Sequence, residues 1–145
     1  MLLLKKGNLF EYQHQGYAHG VSNLGKMGKG IAIDFKRKYP SMFTEYKAKC
    51  YHKIISPGDC FFYENIIQNQ NIFNLITQDN LFNASEKYLK SSINNMHKLA
   101  LRKNINDIGM PQIACGLGNL QLEKLINNLD IFVSDSKFHV TIYSI

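Results

Sequence analysis

The segment Met110-Pro-Gln-Ile-Ala-Cys-Gly-Leu-Gly-Asn-Leu120 decides the fold: a short apolar run stops abruptly in a small loop that carries glycines. Its counterpart lies earlier, where Asn23 leads into Gly25-Lys-Met-Gly-Lys-Gly30 and then directly into Ile31-Ala-Ile-Asp-Phe-Lys-Arg-Lys38, which reads as the first turns of a helix. Glycines in such loops adopt backbone angles closed to other residues and let an anion approach the amide N–H groups. A helix start adds unpaired N–H groups and the positive end of its dipole. Either loop taken alone is more simply a turn or a connector. The order strand, glycine loop, helix, met again in the same small chain, places a ligand crevice at the strand ends of an open α/β sheet. Two such loops facing each other would cradle a diphosphate, with a small molecule rather than a polymer between them.

At 145 residues and 45% hydrophobic composition, without a Pro/Gly/Ser-rich tract, the chain is expected to form one domain spanning residues 1–145. Met1-Leu-Leu-Leu-Lys-Lys6 is too short for the apolar region of a signal peptide and carries its charges on the wrong side of it. No apolar run approaches bilayer-spanning length, so a cytoplasmic protein without a membrane partner is expected. Cys50, Cys60 and Cys115 have neither the even count of a disulfide framework nor zinc-ligand spacing, and no metal site is expected. The net charge of +6 favours anionic partners. Most of the lysines, however, are scattered among asparagines and isoleucines, as an AT-rich genome alone would produce. Only Lys26, Lys29, Lys36, Arg37 and Lys38 concentrate locally. That leaves nucleic acid a weakly supported partner, and with no readable oligomer interface the default is a monomer.

Along the chain, Leu2 to Lys5 reads as a strand ended by the turn Gly7-Asn8-Leu9-Phe10. Tyr17 to Ser22 is apolar on both faces, the mark of a central strand; His19 within it is either a satisfied core histidine or a ligand-facing one. Ile31 to Lys38 is helical, Pro40 breaks it, and Ser41 reads as the cap of a second helix to Cys50. Cys60–Tyr63 and Ile72–Thr77 are strands joined through Asn69-Gln-Asn71. Ser85 precedes the clearest helical period, with Leu89, Ile93, Met96, Leu99 and Ala100 on one face and His97 off it towards solvent. Asp107 to Ala114 is a strand, Gln121 to Leu129 a covering helix, and His139 to Ile145 a closing strand. The pattern predicts an α/β class, three-layer α/β/α domain with a mixed, mostly parallel sheet.

Neither glycine loop continues into Gly-Lys-Ser or Gly-Lys-Thr, which disfavours a nucleoside triphosphatase. The first lacks the glycine order and preceding strand of a dinucleotide-binding dehydrogenase. Cys115, at a strand end beside a helix start, is either a nucleophile or, more simply, a small residue under a tight loop.

Gly7-Asn-Leu-Phe10, Ala18-His-Gly-Val-Ser22, Gly25-Lys-Met-Gly-Lys-Gly-Ile-Ala32, Phe35-Lys-Arg-Lys-Tyr-Pro40, Met110 to Leu120 and the closing Thr141-Ile-Tyr143 together resemble a macrodomain. Within that superfamily they are most similar to the branch of the terminal ADP-ribose protein glycohydrolase, the yeast-type ADP-ribose 1''-phosphatase and the antitoxins that strip ADP-ribose from DNA. The resemblance implies ADP-ribose, or an ADP-ribosylated macromolecule, in a cleft over the strand ends, with no cofactor. By motif, Asn8 and Leu9 would border the adenine, Asn8 standing where aspartate is usual and accepting through its amide oxygen, and Tyr143 and Ile145 would pack against the base. Ser22, Asn23, Met27, Gly28, Gly30 and Ile31 would surround the diphosphate and distal ribose, with Thr77 nearby. Cys115, Gly116, Leu117, Gly118, Asn119 and Leu120 would form the second phosphate loop.

The same resemblance marks a departure. The protein glycohydrolase uses a lysine after its Leu-Ile-Thr strand and an aspartate in the second glycine loop, where this chain has Gln78 and Gly118. Glutamine neither forms a Schiff base nor titrates, and glycine has no side chain to move a proton. Asp79 and the phosphatase-like His19 are the candidate catalytic residues that remain. A hydrolase of an ADP-ribose derivative and a non-enzymatic binder are both open on the sequence.

Overall fold

The structure, a computed structural model, describes residues 1–81, 83–114 and 121–144. Its elements are β1 (Leu2–Lys6), β2 (Gly16–Ser22), α1 (Ile31–Lys38), α2 (Pro40–Tyr51), β3 (Cys60–Asn65), β4 (Gln70–Gln78), α3 (Glu86–Lys103), β5 (Asp107–Pro111), α4 (Leu122–Asn128), α5 (Asp130–Val133) and β6 (His139–Ser144). They build a six-stranded sheet in the order β1-β6-β5-β2-β4-β3. Neighbours are parallel except in the β3–β4 hairpin, so the sheet is mixed and mostly parallel, as the element pattern predicts. Because the parallel strands share a direction, the ends of β2, β4, β5 and β6 lie along one edge, where Ser22 pairs with Gln78 and Pro111 with Tyr143.

Helices cover both faces. Leu89, Ile93, Met96 and Ala100 of α3 join Leu125 of α4 and Phe132 of α5 over Ala18, Phe73, Leu75, Ile108 and Met110. Phe35 of α1 and Met42 and Tyr46 of α2 pack on Val21, Ile72 and Ile76 from the other side. Strand residues alternate between faces, and β2 sends Ala18 to one core and Val21 to the other. That is why it reads as buried on both faces. α3 starts where its sequence says: Ser85 Oγ accepts from the Tyr88 N–H at 3.1 Å.

Several local expectations are corrected. The cap of α2 is Tyr39, without a side-chain hydrogen bond, and Pro40 occupies the first turn; Ser41 lies inside the helix. Proline is preorganised for that position and gives up an N–H that would be unpaired anyway. Strand β5 ends at Pro111 rather than Ala114, and Ala114 sits at φ +65°. His97 is half-buried, its ring edge-on to Phe132 at 4.8 Å, and burial lowers its pKa. The short helix α5 that brings Phe132 there was missed.

The turn after β1 is held from a distance. Asn8 Oδ1 caps the 3-10 turn Leu9–Glu11 by accepting from the Phe10 N–H at 3.0 Å. The chain then brings His14 over β5, where Nδ1–H donates to Asp107 Oδ1 at 3.0 Å and Nε2 accepts from the Tyr143 hydroxyl at 2.6 Å. A Cβ on Gly109 would stand 2.4 Å from His14 Cδ2, and the imidazole is tethered at both nitrogens. Gly109→Ala is therefore expected to displace His14 and destabilise the fold by about 2 kcal/mol. Urea unfolding should show a lowered midpoint at unchanged slope.

Candidate functional site

Two clefts open along the edge where the parallel strands end. The larger, about 920 Å³, is walled by Lys6 at the end of β1 and Gly7 to Leu9 after it, by Gly30, Ile31 and Asp34 at the start of α1, by Pro111 at the end of β5 and Gln112 after it, and by Tyr143 and Ser144 of β6. The smaller, about 360 Å³, is formed by Gly20, Val21 and Ser22 of β2, Lys26 to Lys29 of the glycine loop, Ala32 and Gln78. The loop and helix start divide them: Gly30 and Ile31 face the larger, and Gly28, Lys29 and Ala32 the smaller.

The glycines at this divide are there for two reasons. Gly30 is the cap of α1 at φ +61°, in the left-handed half of backbone space that side chains rarely adopt. A Cβ on Gly28 or Gly30 would meet nothing within 4 Å, so both stand against open space. No side chain caps the first N–H groups of α1. Those groups and the positive end of the helix dipole would favour an anion placed between the clefts.

The expected binding residues fall into groups. Asn8, Leu9, Gly30, Ile31 and Tyr143 line the larger cleft, and Ser22, Met27 and Gly28 the smaller. Ser22 is fixed from two directions: its carbonyl accepts from the Tyr46 hydroxyl at 2.6 Å and its Oγ from the Leu24 N–H at 3.2 Å. Thr77 is fully buried where β4 ends, and among the described residues its Oγ1 has no hydrogen-bond partner, as is true of Asn23 Oδ1. Asn23 borders a third cleft, of about 810 Å³, which shares Lys26, Met27 and Gly28 with the smaller one. Cys115, Gly116, Leu117, Gly118, Asn119, Leu120 and Ile145 lie outside the described residues.

Neither candidate catalytic side chain lines these clefts. His19 is fully buried, with its ring stacked on Phe35 at 3.8 Å. Asn74 Nδ2 donates to the Phe61 carbonyl at 3.2 Å, which turns the Asn74 oxygen towards His19. His19 Nε2–H donates to that oxygen at 2.6 Å, leaving Nδ1 as an unpaired acceptor. Burial lowers the His19 pKa to about 4, against a smaller upward pull from Asn74. Asp79 Oδ1 accepts from the N–H groups of Leu81 at 2.8 Å and Asn83 at 3.0 Å, as a turn aspartate does.

Some of the site was missed in the sequence. Asp34 lines the larger cleft, and its only sequence signal is a carboxylate in the first turn of a helix. The Asp107–His14–Tyr143 chain that fixes the ring of Tyr143 joins residues far apart in the chain, without a motif to announce it. Among the described residues no three His, Cys, Asp or Glu gather to hold a metal, and no helix is long and apolar enough to cross a membrane.

The Macro domain family model matches residues 18–127. DNA ADP-ribosyl glycohydrolase of Mycobacterium tuberculosis is 28% identical over 133 residues, covering 89% of this chain and 38% of that protein. The chain thus spans under two-fifths of that relative's length. ADP-ribose glycohydrolase OARD1 of Homo sapiens is 25% identical over 143 residues, covering 97% of this chain and 89% of that protein. The solved macrodomain of Mycobacterium tuberculosis DarG superposes with a TM-score of 0.91 at 25% identity, covering 100% of this chain and 98% of that one. The family model matches most of the chain and the solved macrodomain shares its fold, and the chain belongs to the Macro domain family.

Proposed function

We propose that this protein binds ADP-ribose, free or attached to a macromolecule. The base and its ribose occupy the 920 Å³ cleft, the diphosphate crosses Gly30 and the start of α1, and the distal ribose enters the 360 Å³ cleft. The observation that carries this reading is one bare glycine-and-helix wall between two clefts, with Gly28 and Gly30 facing open space. That shape suits a molecule with rings at both ends and negative charge in the middle. The relatives' names, both glycohydrolases of ADP-ribosyl groups, support the same ligand.

Hydrolysis is the second reading, and it rests on those names. The titratable side chains among the described residues that line the distal cleft are Lys26 and Lys29, while Gln78 occupies the strand end. Calorimetry with ADP-ribose, followed by assay of phosphate release from ADP-ribose 1''-phosphate and of ADP-ribose release from modified substrates, separates the readings. Heat of binding without release makes the protein a binder, release makes it a hydrolase, and no heat overturns the assignment. Gln78→Ala is expected to leave affinity and any release within about fivefold, the worth of one neutral hydrogen bond.

A nucleic acid is the attached macromolecule that the 810 Å³ cleft favours. Lys26, Lys36, Lys47 and Lys53 line it beside Phe43 and the exposed Tyr51, and among the described residues no carboxylate does. Lysines with interleaved aromatics suit a phosphate backbone and its bases. Lys53 holds the left-handed conformation at φ +56°, where glycine is the easier residue.

A further inference from the structure

We propose that Asp34 reads the base in the 920 Å³ cleft by accepting a hydrogen bond from the exocyclic amine of adenine. The proposal rests on the ADP-ribose reading above and names a residue that selects among ligands of that shape.

Leu9, Ile31, Pro111 and Tyr143 give the cleft apolar walls that suit the faces of a flat ring. Which ring is decided by the polar groups. Asn8 Oδ1 already accepts from the Phe10 N–H at 3.0 Å and holds the turn in place. Asn8 keeps its Nδ2 donor and one further lone pair on a neutral oxygen that already serves that N–H. A donor satisfies a ring nitrogen, which every purine carries, and so does not recognise an amine.

Asp34 supplies the charged acceptor that Asn8 lacks. It is exposed, lines the same cleft, and forms no hydrogen bond or ion pair among the described residues. Lys38, four residues on along α1, places Nζ 4.9 Å over the Phe10 ring instead of pairing with it. A free carboxylate beside a diphosphate path opposes the ligand unless the ligand brings it a donor. The exocyclic amine is the donor on the adenine edge, and its bond to a carboxylate is charge-assisted. Asn8 Nδ2 then faces the adjacent ring nitrogen.

The test compares ADP-ribose with the analogue in which unsubstituted purine replaces adenine, by calorimetry on the wild type, Asp34→Asn and Asp34→Ala. Both ligands carry the same diphosphate, so repulsion by Asp34 cancels in the ratio of their affinities. The wild type is expected to prefer ADP-ribose about tenfold, and Asp34→Ala to reduce the preference to about twofold or less. If Asp34 only supports the first turn of α1, its loss weakens both ligands alike and the ratio stays put, which overturns the proposal. ADP-ribose binding with no preference in the wild type overturns it too. Failure of the wild type to bind either ligand is the separate result that removes the ADP-ribose reading itself.

Discussion

Gly30→Glu is expected to reduce ADP-ribose affinity by more than about a hundredfold. Gly30 sits at φ +61° and a Cβ there would meet no atom within 4 Å, so the fold has room for a side chain and the ligand would not. A carboxylate placed there would lie within several ångströms of the diphosphate. At an effective dielectric near 20, one pair of like charges at 4 Å costs about 4 kcal/mol, ample for such a loss. Backbone strain has to be separated from charge. Gly30→Ala carries the unfavourable φ without the carboxylate, at an expected cost of about 1–2 kcal/mol of stability. Gly28→Glu carries the carboxylate without a left-handed backbone. Calorimetry with all three should find both glutamate variants silent and the alanine variant weakened. Retained affinity in both glutamate variants would show that no anion passes this wall.

What could be read from the sequence was whatever local chemistry dictates. The α3 period, the Ser85 cap and the apolar β2 each follow from residues whose neighbours in sequence are also their neighbours in space. The first glycine loop was legible for the same reason: Gly30 adopts a conformation that residues with a side chain rarely take. The misses are long-range or depend on which side of an element a residue faces. Ser41 is as good a cap as Ser85 by composition, but Pro40 starts the helix and moves the cap to Tyr39, two residues earlier. His97 reads as solvent-facing until α5, itself only Asp130–Val133, folds Phe132 against it. Asn8 Oδ1 also holds its own turn by accepting from a backbone N–H two residues on, a duty that the sequence alone does not announce. His19 is the hardest case. Its neighbours on β2 cannot say whether the imidazole faces a cleft or a core; Asn74 and Phe35, brought there by β4 and α1, decide it.

His19 accordingly gives the fold an acid limit. Its pKa falls from 6.5 to about 4, because burial penalises the charged ring more than the bond to Asn74 favours it. Above pH 6.5 the ring is neutral in folded and unfolded chains, and its contribution to stability is complete. Between about 6.5 and 4 the unfolded chain binds a proton that the folded chain refuses, so stability falls as the pH falls. The slope approaches 1.36 kcal/mol per pH unit, and the accumulated loss by pH 4 is on the order of 3 kcal/mol. The geometry gives the same sign: a proton on Nδ1 would have no acceptor, and the imidazolium would be sealed between Asn74 and Phe35. Other groups titrate in this range, so the measurement is a difference. Urea unfolding of wild type and His19→Gln at pH 7, 6, 5 and 4 should show the variant less stable at neutral pH, since glutamine keeps the bond to Asn74 but loses the stack on Phe35. The gap should narrow by about 3 kcal/mol towards pH 4, because glutamine has no proton to refuse. A gap constant with pH would mean that His19 takes up its proton in the folded chain as readily as in the unfolded one, which would require an acceptor or solvent at Nδ1 and hence an imidazole free to reach the cleft.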